Sequence, residues 1–352
     1  MTHQPSAPST PPVTIAEAGE DATIACIRQH APSTRNGDDA AVIEKHTAQI
    51  RTVVSTDMML ADVHFRNTWA TPYELGQKAI SRNFADIEAM GAHPEAALLA
   101  LALPGDTPME WVAEFSKGMA NRLGDFNAEL IGGDISHASS IAITVTAIGH
   151  LGGALPALTL DSARCGQQVI CTGKLGYASA GLALLEHEAR EQIPAEFAPL
   201  MQAQCAIIPP PGRGFVARAT GVSSLTDNSD GLLRDLGRIA QRSGVHIHID
   251  ADAIAPDELL VAAGRYLDIN PWEWVLAGGE DHNLIGTTSY GIATGFKRIG
   301  EVCQRNGKGS VTVASMTTDL SPAIPALPAD YEGLKGWESI PVENRKLKNF
   351  SA

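Results

Sequence analysis

β-Branched runs alternate with stretches of helical period on both sides of one Gly/Pro-rich segment, and this alternation confines the chain to the α/β or α+β class. Residues 51–55 form one such run, stopping at Thr56-Asp57. Residues 72–90 read as a helix, with Pro72 suited to its first turn and Gly91 and Pro94 closing it. At about 100° per residue, Ile80, Phe84 and Ile87 fall on one side, and Lys78, Arg82 and Asp86 line the other. Residues 97–103 and 141–148 read as further strands. The sequence LGGALP at 151–156 is where a first domain would end. The pattern then restarts: strand 168–171, helix 179–188, strand 223–225, and a helix from 229 to 242. In that last helix Leu232, Leu233, Leu236 and Ile239 form the apolar stripe.

A chain of 352 residues is too long for one ordinary core, and 44% hydrophobic residues suffice to fill two. The expected division is a tail over 1–13, a first domain over 14–152, a second over 153–345 and a short tail to 352. The formal charge of -14 repels nucleic acid and anionic membranes, so neither is expected as a partner. A polyanionic ligand would need cations between it and such a surface. The five cysteines include no CxxC pair, which reads as reduced thiols. No secretory pattern or membrane-length apolar run is read, so a cytoplasmic enzyme is the expectation.

Six short acidic motifs stand out. They are Gly37-Asp38-Asp39, Ser55-Thr56-Asp57, Asn83 to Asp86, Gly132-Gly133-Asp134, Asp227-Asn228-Ser229-Asp230-Gly231, and Gly278-Gly279-Glu280-Asp281. Several follow apolar runs, where loops at strand ends favour ligand sites. Carboxylates and hydroxyls are the hard oxygen donors that magnesium prefers. Taken singly, each motif also reads as a turn pair or a helix cap, and Asp86 as a solvated residue paired with Arg82. Other features carry less. His246, His248 and Asp250 alternate along one polar strand face. Gly173-Lys174 lacks P-loop spacing. Arg213, after PPPG, reads as a solvated arginine or a phosphate contact.

The motif order resembles the thiamine-monophosphate kinases of the PurM-like (aminoimidazole-ribonucleotide synthetase-like) ATP-binding superfamily. The matching stretches are GDDAAVI at 37–43, STDMMLADVHF at 55–65, KAISRNFADIEAMGAHP at 78–94, LIGGDIS at 130–136, CTGKLGYASAGLALL at 171–185, TDNSDGLLRDLGRIA at 226–240 and AGGEDHNL at 277–284. The resemblance implies a PurM-like two-domain fold whose first sheet pairs with that of a second subunit in a homodimer. It implies transfer of the γ-phosphoryl group of ATP onto thiamine monophosphate. By carry-over, Asp39, Ser55, Thr56, Asp57, Asp86, Asp134, Asp227 and Asp230 would hold several magnesium ions, with Asp57, Asp134 and Asp230 as the catalytic candidates. Gly133, Asp134 and Ser229 would lie against the nucleotide, and His64, Glu280 and Trp337 would face the thiamine end. Phosphoryl transfer between two polyanions needs positioning and charge neutralisation more than a protein nucleophile, which suits the absence of an obvious catalytic His or Lys.

The chain departs from the family pattern at Phe84-Ala85 within NFAD, at Ile135 after GGD, at Asn228, and at His282-Asn283. A family arginine aligns with Leu160, leaving Arg164 as its substitute. The alternatives are another PurM-like ATP-dependent enzyme and a nucleotide- or metal-binding protein without catalysis.

Overall fold

The computed structural model describes residues 41–44, 49–188, 192–304 and 309–314. The expected tails, the early acidic motif with Asp39, and Trp337 lie outside the described residues. Within them the chain forms two sheets with helices packed against both. The first sheet has the order β1-β2-β5-β3-β4, built from β1 (Ala41–Glu44), β2 (Ile50–Leu60), β3 (His93–Leu103), β4 (Glu129–His137) and β5 (Ala142–Gly152). It is antiparallel except for the β3–β4 pair. The second has the order β11-β8-β10-β6-β9-β7. Its strands are β6 (Gln168–Thr172), β7 (Val222–Asp227), β8 (His246–Asp250), β9 (Leu284–Thr288), β10 (Phe296–Cys303) and β11 (Ser310–Ala314).

Helix α1 (Pro72–Ala89) lies between these two parts. Its start is dictated locally: Thr71 and Glu74 form a reciprocal capping box, and Pro72 occupies the first turn. Leu75, Ile80, Phe84 and Ile87 pack with Phe115, Met119 and Leu123 of α2 (Met109–Asp125) over the inward residues Val53, Met59, Ile143 and Val145. Phe84 and Phe126 meet edge to face with ring centroids 5.0 Å apart. The opposite side of α1 is buried as well, because the second part of the chain covers it. Lys78 and Arg82 are therefore interior residues, 2% and 6% exposed, and not a solvated face.

A larger core fills one side of the second sheet. It joins Val169, Ile247, Ile249, Ile285 and Ile299 to helices α3 (Tyr177–Glu186), α6 (Leu232–Ser243), α7 (Glu258–Leu267) and α8 (Pro271–Ala277). Two shorter helices, α4 (Ala198–Cys205) and α5 (Arg213–Ala219), sit near α1. Glu88, near the end of α1, accepts the Gly212 N–H just before α5. Burial pushes its carboxyl up to about 7, against the pull of that hydrogen bond and the nearby Arg122 and Arg213.

Two expectations of motifs at strand ends are corrected. β2 continues through Leu60, so Asp57 sits inside the strand, and Asp134 sits inside β4 opposite Ala100. Both have ladder partners on neighbouring strands that extend the hydrogen bonding past the local apolar run. Asp227, by contrast, is the last residue of β7.

Candidate functional site

Two sequence-distant motifs close against each other beside α1. The loop after β7 and the loop after α8 are joined by three backbone hydrogen bonds. Asn228 N–H donates to Asn283 O at 2.7 Å, Glu280 N–H to Ser229 O at 2.8 Å, and His282 N–H to Asn228 O at 3.1 Å. Glu280 and His282 adopt positive φ angles of 67° and 48°, conformations this pairing holds in place. Gly231 has φ 120°, and a β-carbon there would stand 2.6 Å from the Ala277 carbonyl oxygen, so glycine lets the start of α6 meet the end of α8.

The side chains on these loops reach across α1 to β2. Arg82 donates through Nε and Nη2 to Asp57 Oδ2, at 2.9 and 2.6 Å. Its Nη1 donates to Glu280 Oε1 at 2.9 Å and Oε2 at 3.2 Å. Lys78 Nζ stands 3.0 Å from Glu280 Oε2 and also donates to the Gln204 carbonyl at 2.9 Å. His282 Nε2 is 3.8 Å from Glu280 Oε1, and its Nδ1 donates to Asp227 Oδ2 at 2.8 Å. Asp227 Oδ1 accepts from Ser229 Oγ at 3.0 Å. The result is one chain of contacts from Asp57 through Arg82, Glu280 and His282 to Asp227. Burial alone would raise the Glu280 carboxyl, but Arg82, Lys78 and His282 reverse this and hold it well below the usual range.

Beside this chain Ser55 Oγ donates to Asp86 Oδ2 at 2.6 Å. Asn83 Oδ1 accepts the Asp57 N–H at 3.0 Å, fixing β2 against α1. His64 is buried, and its Nδ1 accepts the Leu60 N–H at 2.9 Å, which leaves the proton of the neutral ring on Nε2. Burial, then the charge of Arg82, lower its pKa. Asp230 pairs with Arg238 Nη2 at 2.6 Å, while the buried Asp235 accepts the Asp230 and Gly231 N–H groups. Asp281 accepts the Gly176 and Ala178 N–H groups at 2.6 and 2.9 Å, and burial pushes it up to about 7. Asp281 thus acts as a remote cap for α3, at the end where the helix dipole favours negative charge.

The predicted set divides between two places. Ser55, Asp57, Asp86, Asp227, Ser229, Glu280 and, nearby, His64 gather where the two parts of the chain meet. Thr56 and Asp134 do not join them. The registers Thr56–Thr146–Leu98–Gly132 and Met58–Thr144–Ala100–Asp134 put both on the other face of the first sheet. They stand three strand spacings and two residues of register apart, on the order of 16 Å. Asp134 is exposed and accepts from Ser136 Oγ at 3.0 Å. Gly133 is required by close approach, since a β-carbon there would lie 1.9 Å from the Leu99 carbonyl oxygen. Glu280 is only 2% exposed, with its carboxylate engaged by Lys78 and Arg82. Arg164 bonds the carbonyls of Asp161 and Ala163, and Arg213 that of Thr294.

The donors fit magnesium in chemistry. They are carboxylate and hydroxyl oxygens, in pairs such as Ser55 with Asp86 and Ser229 with Asp227. Magnesium commonly takes one or two carboxylates and completes its shell with phosphate oxygens and water. Among the described residues, no three His, Cys, Asp or Glu side chains group closely enough to hold an ion by themselves. Lys78, Arg82 and His282 were assigned no site role from sequence. Spacing by four placed the two cations on one helix face, but nothing local showed that the face would be covered.

The sequence and the fold have close parallels. Residues 37–151 match the family model for AIR synthase related protein, N-terminal domain. A thiamine-monophosphate kinase of Corynebacterium glutamicum is 49% identical over 308 residues, covering 88% of this chain and 93% of that protein. That of Mycobacterium tuberculosis strain H37Rv is 38% identical over 305 residues, covering 86% and 85%. Among solved structures, AaThiL complexed with AMPPCP and TMP superimposes with a TM-score of 0.78 at 29% identity, covering 94% of this chain and 99% of that one. The fold is accordingly PurM-like, as the motif order implied.

Proposed function

The chain belongs to the thiamine-monophosphate kinase family, and we propose that it transfers the γ-phosphoryl group of ATP in line onto the phosphate of thiamine monophosphate, with magnesium held by its aspartates. One observation carries this reading: Asp57, Asp86 and Asp227, distant in sequence, gather with Glu280 and His64 at one junction. The solved relative with AMPPCP and TMP supports the pairing of donor and acceptor.

Ser55, Asp57 and Asp86 would hold metal on the first-sheet side, and Asp227 and Asp230 on the other, with Ser229 against the nucleotide. When bound, magnesium supplies the positive charge that lets two anionic phosphates approach and offsets charge developing on the transferring group. The chain's own residues supply position. Asn83 fixes the height of Asp57 on β2, and the paired loops fix Asp227 and Ser229. His64, whose pKa burial lowers, adds no charge near the acceptor. Glu280 serves through Arg82 and Lys78, because its carboxylate is buried against them. No strong general base is required, because the acceptor is a phosphate already ionised at neutral pH.

The same reading divides the chain into two domains at about residue 152, and it includes a homodimer. β4 is an edge strand, and Met58, Leu60, Leu130, Ile131 and Ile135 are exposed on the first sheet. Such an edge and apolar surface invite a second sheet. Thr56 and Asp134 lie on the face a second copy would cover. Sedimentation at micromolar concentration should give twice the chain mass; a single-chain mass at all concentrations would remove the dimer.

The activity is tested directly. Incubation with ATP, magnesium and thiamine monophosphate should yield thiamine diphosphate and ADP in equal amounts. Absence of product while ATP still binds would leave only the nucleotide-binding alternative.

A further inference from the structure

Arg82 joins Asp57 to Glu280 by contacts that do not depend on any ligand. Both of its bonds to Asp57 fall on one oxygen, Oδ2, while Oδ1 accepts the Met58 N–H at 2.7 Å. An ionised carboxylate can accept about four hydrogen bonds, so three of its positions are in use. A metal ion arriving at Asp57 therefore meets a carboxylate that already has a cation on it. That cation cannot leave by losing a proton, because guanidinium stays charged at any accessible pH. Nor is it a surface side chain with water to turn to: Arg82 is 6% exposed, and its other arm is fixed on Glu280.

We propose that Arg82 is a built-in counter-ion of Asp57 that competes with the divalent metal. It holds the carboxylate in place while no ion is bound, and it weakens the binding of a bare ion, so that the ion is retained chiefly with the polyphosphate it accompanies. Glu280 sets the strength of this competition. By taking Nη1, it draws part of the guanidinium charge away from Asp57, with Lys78 sharing the same carboxylate. Arg82 is thus a positioning residue with an electrostatic effect opposite to that of an ordinary scaffold. The inference rests on the reading of Asp57 as a metal ligand.

The size follows from Coulomb's law: a unit charge about 6 Å from a divalent ion changes its binding roughly tenfold even at the dielectric constant of water. The experiment is calorimetric titration of the full chain with manganese or magnesium chloride alone, without nucleotide. Arg82→Gln should bind the metal roughly tenfold more tightly than the unaltered protein. Glu280→Gln, which leaves the guanidinium to Asp57 alone, should bind it several-fold more weakly. A purely structural role for Arg82 predicts weaker binding in both variants. Equal or weaker binding by Arg82→Gln, with its circular dichroism retained, overturns the proposal. Should that variant not fold, unchanged or tighter binding by Glu280→Gln overturns it instead. If the unaltered protein takes up no metal even with an ATP analogue present, the metal-site reading itself fails, and this inference with it.

Discussion

Asp57→Asn will lower thiamine diphosphate formation by about 10²–10³-fold or more while leaving the protein folded. Asparagine keeps the shape but only one acceptor oxygen, which can serve the Arg82 donors or the Met58 N–H and not both, since these meet different oxygens of Asp57. Arg82 is not stranded, because Glu280 still takes its other arm. What disappears is one negative charge at the point where two polyanions must be brought together. Binding of ATP without metal should change little, so the loss belongs in turnover. Full activity in this variant, measured by product formation at saturating substrates, would show that Asp57 is not the metal carboxylate.

The second large effect is on stability. Glu280→Ala removes the carboxylate that Lys78 and Arg82 share, and both cations are buried. Removing one partner of a buried ion pair typically costs about 3–5 kcal/mol, because the remaining charge is left without compensation. Glu280→Ala leaves Lys78 with only the Gln204 carbonyl, whereas Lys78→Met leaves Glu280 paired with Arg82 and should cost less. Acidity provides an independent sign. Glu280 is held below the usual carboxylate range in the folded protein. Its contribution is present above the unfolded value near ~4.3 and is lost as pH falls towards the folded one. Urea unfolding at pH 7 should therefore show the full deficit of Glu280→Ala, and the deficit should shrink below about pH 4. A variant as stable as the unaltered protein at pH 7 would mean that the three charges do not depend on one another.

These effects arise from contacts between elements that sequence reading could identify but not assemble. The helix over 72–90 was legible because its start and stop signals are local: a proline at 72, and Gly91 and Pro94 at its end. The stripe of Leu232, Leu233, Leu236 and Ile239 was legible for the same reason, since period is a property of neighbours. The ends of β2 and β4 were not. Strand length there is set by partners on other strands, with β5 matching β2 for its whole length. The burial of the polar side of α1 was not legible, because burial depends on what packs over a face, and Lys78 and Arg82 look the same in either setting.

By itself, the sequence determined the inventory: two sets of alternating strands and helices, oxygen donors in short motifs, and a motif order shared with one enzyme family. Those follow from spacing, composition and local conformational preference. Tertiary structure alone decided the grouping. It set Thr56 and Asp134 on one face of a sheet and Ser55 and Asp57 on the other, because successive residues of a strand point to opposite sides. It brought Glu280 198 residues along the chain to Arg82, and so gave Asp57 a fixed cation as its neighbour. Electrostatic energy depends on separation in space and on burial, and neither is written in the order of the residues.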